Sequence, residues 1–115
     1  MASRKQKALI GFLGSMLFVI PIVAEDNLAT ILAPAEGSVL KAEQAYVLEY
    51  NIKPEANAEH VHLYVDGDEV GIGHKIKGDL PLGPLKVGER KICISPVNKN
   101  HTRTASQACI NVMVQ

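Results

Sequence analysis

Four histidines, His60, His62, His74 and His101, are the side chains of this chain best suited to chemistry. His60 and His62 stand two apart in His60-Val61-His62-Leu63-Tyr64-Val65. A strand turns alternate side chains to opposite faces. Both imidazoles therefore leave one face, and Val61, Leu63 and Val65 leave the other. Two imidazoles at that spacing suit two ligands on one cation, and a set rich in imidazole favours Cu(II) or Zn(II). A histidine pair on a solvent face is more often ordinary solvated polar surface.

The remaining reactive residues point elsewhere. Cys93 and Cys109 are the two cysteines, and the midpoint between them is residue 101, inside the polar stretch Asn98–Thr104. A hairpin turning there sets Cys93 opposite Cys109, close enough to pair as a disulfide on the face away from the core. A blue-copper centre would need a thiolate with two histidines; Cys109 and Met113 have no histidine between them, and Cys109 is better used with Cys93. No G-x-S-x-G, H-E-x-x-H or Gly-rich phosphate loop occurs. Ser38, Ser95 and Ser106 have no evident base. Asp66, Asp68 and Glu69 cluster at a hairpin tip, where turn chemistry explains them better than calcium. Asn100-His101-Thr102 is an N-glycosylation triplet in a eukaryotic secretory path. The chain thus reads as a binding protein, not an enzyme.

These residues need a scaffold, and the chain divides into two parts. Arg4, Lys5 and Lys7 precede an apolar run from Ala8 to Ile20; Pro21 and Ile22-Val23-Ala24 follow. A basic start, short apolar run and small-residue exit make residues 1–24 a cleavable signal peptide. The run is shorter than the roughly 20 residues a membrane span needs, which disfavours a retained anchor. The mature part, 25–115, is then periplasmic or secreted, with no stable membrane anchor after cleavage. The signal holds three of the twelve Lys and Arg and none of the twelve Asp and Glu, leaving nine against twelve, a net −3 with His neutral. That balance excludes non-specific nucleic-acid binding and adhesion to anionic lipid. Three tyrosines and no tryptophan remain, a poor supply for stacking on bases or sugars.

Past Ala24 the dominant period is two. Strands are expected at Thr30–Ala33, Val39–Leu40, Tyr46–Ile52, His60–Val65, Glu69–Ile76, Arg90–Val97 and Ala108–Val114. Lys77–Gly88, rich in Gly and Pro, is expected to cross as a loop with at most one short strand. Ile92, Ile94, Ala108, Ile110, Val112 and Val114 mark a core face. Val70, Ile72 and Ile76 are expected to face the core too. His74 shares their parity and should turn away from His60 and His62 unless a bulge at Gly71 or Gly73 reverses it. About seven short strands with no helix indicate an all-β, immunoglobulin-like Greek-key β-sandwich. Pro34-x-x-Gly37, His60–Asp66 and Leu82-x-x-Leu85-x-x-Gly88 resemble small bacterial exported immunoglobulin-like or fibronectin-III-like domains, over Ile31 to Val114. The core tryptophan and inter-sheet cysteine pair of true immunoglobulin domains are absent.

The resemblance implies a meeting point. In such a sandwich the connection before His60 and the last turn, with His101, share one end. His74 returns to that end, so all four imidazoles are expected to converge, with Glu59 as an oxygen ligand. Two functions follow: a metal-binding module taking Cu or Zn through His60, His62, His74 and His101, or a structural or protein-interaction domain with a protein partner and no metal.

Overall fold

The computed structural model describes residues 20–115; most of the expected signal peptide lies outside them. Alternation builds nine strands: β1 (Ile22–Val23), β2 (Ala29–Ala33), β3 (Val39–Leu40), β4 (Tyr46–Ile52), β5 (His60–Val65), β6 (Asp68–Gly73), β7 (Lys77–Leu82), β8 (Gly88–Val97) and β9 (Ala108–Val114). They form two sheets, ordered β1-β2-β4-β7 and β3-β9-β8-β5-β6. The chain changes sheet after β2, β3, β4, β6 and β7; the hairpin β1–β2 lies in the first sheet and the hairpins β5–β6 and β8–β9 in the second.

The core lies between the sheets. Ile31, Leu48, Tyr50, Ile52 and Leu82 meet Val61, Leu63, Ile92, Ile94, Ile110, Val112 and Val114, all essentially excluded from solvent. Each such aliphatic side chain contributes about 1.5–3 kcal/mol on burial. Folding free energy therefore comes chiefly from this interior, and the outer faces are left free to carry polar groups.

β1 is the last part of the expected signal: Ile22–Val23 pair with Ile31 and Thr30 of β2, and Ala24 packs into the core. The segment expected to be largely loop contains the full strand β7, paired along β4 from Leu82↔Tyr46 to Lys77↔Asn51. β7 is an edge strand, which is where Pro81 is tolerated.

One face assignment is reversed. Val70 and Ile72 are 56% and 37% exposed, while Gly73 is buried. The cause is Tyr50. Its ring crosses the core under β6, and a Cβ at residue 73 would lie 2.6 Å from its hydroxyl oxygen and 3.0 Å from Val61 Cγ2. Only glycine fits inward there, so Val70 and Ile72 turn outward, while Ile76, beyond the end of β6, packs against the core as expected. The Tyr50 hydroxyl also donates to the Lys75 carbonyl at 2.6 Å.

The last hairpin forms as expected. Cys93 stands opposite Cys109, and the two are joined as a disulfide, with Ile92 and Ile110 facing the core beside them.

Candidate metal centre

β5 lies between β6 and β8 and presents His60, His62 and Tyr64 on its outer face. An outer face is normally wet, yet His60 and His62 are each only 5% exposed. The β8–β9 loop covers them. Thr104 donates its N–H to the Pro96 carbonyl at 2.9 Å, Arg103 bridges back to Val97, and Ser95 donates to Gln107 at 3.1 Å. Asp26 fastens the loop from outside, accepting the Ser106 N–H at 2.8 Å. That bond lowers the Asp26 pKa below its ordinary value, against a smaller opposing effect of desolvation.

His101 sits on this loop in the left-handed backbone region, φ +63°. Asn98 explains why. Its side-chain oxygen accepts the N–H groups of Asn100 and Thr102 at 2.9 and 3.0 Å, and its carbonyl accepts the His101 N–H at 2.9 Å. An asparagine that closes its own turn is the usual local signal for such a conformation. Here it aims the His101 ring down onto β5.

Three ring nitrogens converge. His62 Nε2 lies 2.8 Å from His101 Nδ1 and 3.3 Å from His60 Nε2, and His60 Nε2 lies 3.3 Å from His101 Nδ1. With metal–nitrogen bonds of about 2.0–2.1 Å, donors on a tetrahedral ion stand about 3.3–3.4 Å apart, and donors at right angles about 2.9 Å. The three spacings fall on those values.

The opposite nitrogens are equally defined. Glu59 Oε1 lies 3.0 Å from His60 Nδ1 and Glu69 Oε1 lies 3.1 Å from His62 Nδ1. The Tyr64 hydroxyl lies 3.4 Å from the same His62 nitrogen. An ionised carboxylate only accepts hydrogen bonds, so each Nδ1 is the donor, and in the neutral ring that leaves the lone pair on Nε2. With both rings neutral, two lone pairs face each other, an arrangement suited to one cation or one shared proton. Carboxylate on one ring nitrogen and metal on the other is the recurring arrangement of histidine sites. Burial pulls His62 below the ordinary histidine pKa, the His101 and His60 rings add to this, and Glu69 opposes it. A neutral ring is the ligating form.

Glu69 reaches this face through a bulge. Val61, His62 and Leu63 pair with Gly73, Ile72 and Gly71, but Tyr64 pairs with Glu69, leaving Val70 as the extra residue. In a regular strand Glu69 would face inward. The same register sets Ile72 beside His62, so His74 follows onto the histidine face without a bulge at Gly71 or Gly73. Its ring centroid is 6.0 Å from that of His60. His74 is thus a neighbour outside the three-nitrogen group. Glu59, expected as an oxygen ligand, holds the far side of His60 instead.

Other candidates have partners of their own. Asp66 pairs with Arg90 at 3.0 Å and accepts the Lys91 N–H at 2.9 Å; those bonds and the Arg90 charge hold its carboxyl below the usual value despite some desolvation. This pair lies in the cleft at that end of β5, whose lining also includes Asp68, Val70, Pro84, Leu85 and Lys86. Among the described residues, no helix is long and apolar enough to cross a membrane.

No family model matches the chain, and no curated protein matches it. Solved structures similar to the chain include the following two. Fibronectin(III)-like modules of Clostridium thermocellum CbhA share 13% identity at a TM-score of 0.64, over 74% of this chain and 93% of that one. A Jonesia denitrificans lytic polysaccharide monooxygenase, determined by neutron crystallography, shares 20% identity at a TM-score of 0.52, over 71% of this chain and 60% of that one. At such identities the likeness concerns the fold alone. The chain is an all-β sandwich of the immunoglobulin-like and fibronectin-III-like kind.

Proposed function

We propose that this protein is a small exported module that binds one divalent transition metal ion, Cu(II) or Zn(II), through His60 Nε2, His62 Nε2 and His101 Nδ1. The observation that carries the reading is the convergence of three ring nitrogens 2.8–3.3 Å apart, with the far nitrogens of His60 and His62 held by carboxylates. The Cys93–Cys109 disulfide fits an oxidising, exported compartment. Cleavage after Ala24 would remove β1 and leave β2 as the sheet edge, with the histidine site untouched.

The test is calorimetric titration of tag-free protein 25–115 with Cu(II) and with Zn(II). The expected result is one ion per chain, lost in the His60→Ala/His62→Ala variant. Absence of binding, or equal affinity in the variant, would overturn the reading. The competing reading is a protein-interaction module working through the free edge of β6, where Val70 and Ile72 are exposed. Its mark would be partner capture that ignores chelators.

A further inference from the structure

Resting on the metal reading above, we infer that the ion keeps one coordination position open and that this position takes a neutral nitrogen donor, an imidazole from outside the chain. A structural site encloses its ion with four protein ligands; a site with three keeps a position for an exchangeable one. Among the described residues, three groups converge. Three neighbouring polar groups face the wrong way. Glu59 and Glu69 lie against Nδ1 of His60 and His62, across each ring from the nitrogen that meets the ion, and the Tyr64 hydroxyl lies on that same far side of His62. None of the three reaches the ion without releasing its histidine.

The opening faces water beside His101. His60 and His62 are buried and His101 is exposed, so solvent and solutes approach the ion along the loop. Charge selects the incoming donor. Three neutral imidazoles, a divalent ion and the two carboxylates sum to zero. An anion would bring an excess negative charge into a partly covered site; a neutral imidazole would not, and it matches the preference of Cu(II) and Zn(II) for nitrogen. An open position of this kind lets a fourth imidazole bind before any resident ligand leaves, which is what passing an ion between two histidine-bearing proteins requires.

The internal competitor is His74. It lies on the same face, with its ring centroid 6.0 Å from that of His60, and its exposed side chain is a candidate to swing onto the ion. The experiment therefore compares wild type with His74→Ala. Cu(II)-loaded protein is titrated with imidazole and, separately, with azide. Visible absorption and the nitrogen hyperfine pattern in electron paramagnetic resonance are recorded, and gel filtration checks that copper stays bound. The expected result is a spectral shift saturating at one imidazole per copper, a change from three nitrogen donors to four, the same response in His74→Ala, and weaker binding of azide.

Copper that binds but responds to imidazole only after His74→Ala would show that His74 fills the position, and would overturn the inference. So would copper that responds in neither protein, copper stripped by the first equivalent of imidazole, or azide bound more tightly than imidazole. A chain that takes up no copper would instead remove the metal reading itself.

Discussion

Replacing Glu69 with alanine removes the carboxylate that fixes the His62 tautomer while leaving the three converging nitrogens in place. The Glu69 oxygen is 3.1 Å from His62 Nδ1. Without it, the proton on that ring is free to move to Nε2, which then offers the ion a hydrogen in place of a lone pair. Loss of such an outer partner typically weakens metal binding about 10–100-fold, or about 1.4–2.7 kcal/mol. The Tyr64 hydroxyl, 3.4 Å from the same nitrogen, is a reserve acceptor. Glu69→Ala alone should therefore lie near the tenfold end, and Glu69→Ala/Tyr64→Phe should approach a hundredfold. The assay is competition against a chelator of known affinity at neutral pH. Glu69 is about half exposed, so the metal-free variant should melt within about 0.5 kcal/mol of wild type. A double variant that binds zinc as tightly as wild type would refute the tautomer argument.

Other expectations follow from the same geometry. Reducing Cys93–Cys109, whose separation is 16 residues, should cost about 3 kcal/mol and lower the melting temperature by more than about 10 °C; an unchanged melting curve would contradict it. Gly73→Ala should destabilise by about 1–3 kcal/mol, because the new methyl meets the Tyr50 hydroxyl and Val61; chemical denaturation measures it, and a neutral result would mean the β6 face assignment is wrong. Because His62 is held below the ordinary value of 6.5, the unfolded chain takes up its proton first as pH falls. The stability of the metal-free protein should then decline below about pH 6.5 and level off once the folded state also protonates. Zinc affinity should fall over the same range, and a pH-independent affinity would contradict histidine ligation.

Much of this fold is legible in the chain, for a local reason. The alternation in β4, β5, β8 and β9 names the core face directly, and the cysteine midpoint names the turn that pairs Cys93 with Cys109. What could not be read depends on distant residues. The outward turn of Val70 and Ile72 is dictated by Tyr50, on another sheet. The strand β7 hides behind Gly78 and Pro81, which suppress strand signals but suit an edge. His60, His62 and His101 were legible as a cluster from topology. Their burial was not, because it depends on a loop folding back under the hold of Asn98 and Asp26. The role of Glu69 depends on a bulge that leaves Val70 as the extra residue, and the sequence carries no mark of it.

Diffraction from crystals grown with Zn(II), recorded across the zinc absorption edge, tests the central claim most directly. One anomalous peak is expected at about 2.0–2.1 Å from His60 Nε2, His62 Nε2 and His101 Nδ1, with Glu59 and Glu69 still on the far nitrogens. Zinc bound only elsewhere, or no peak among the three rings, would contradict it.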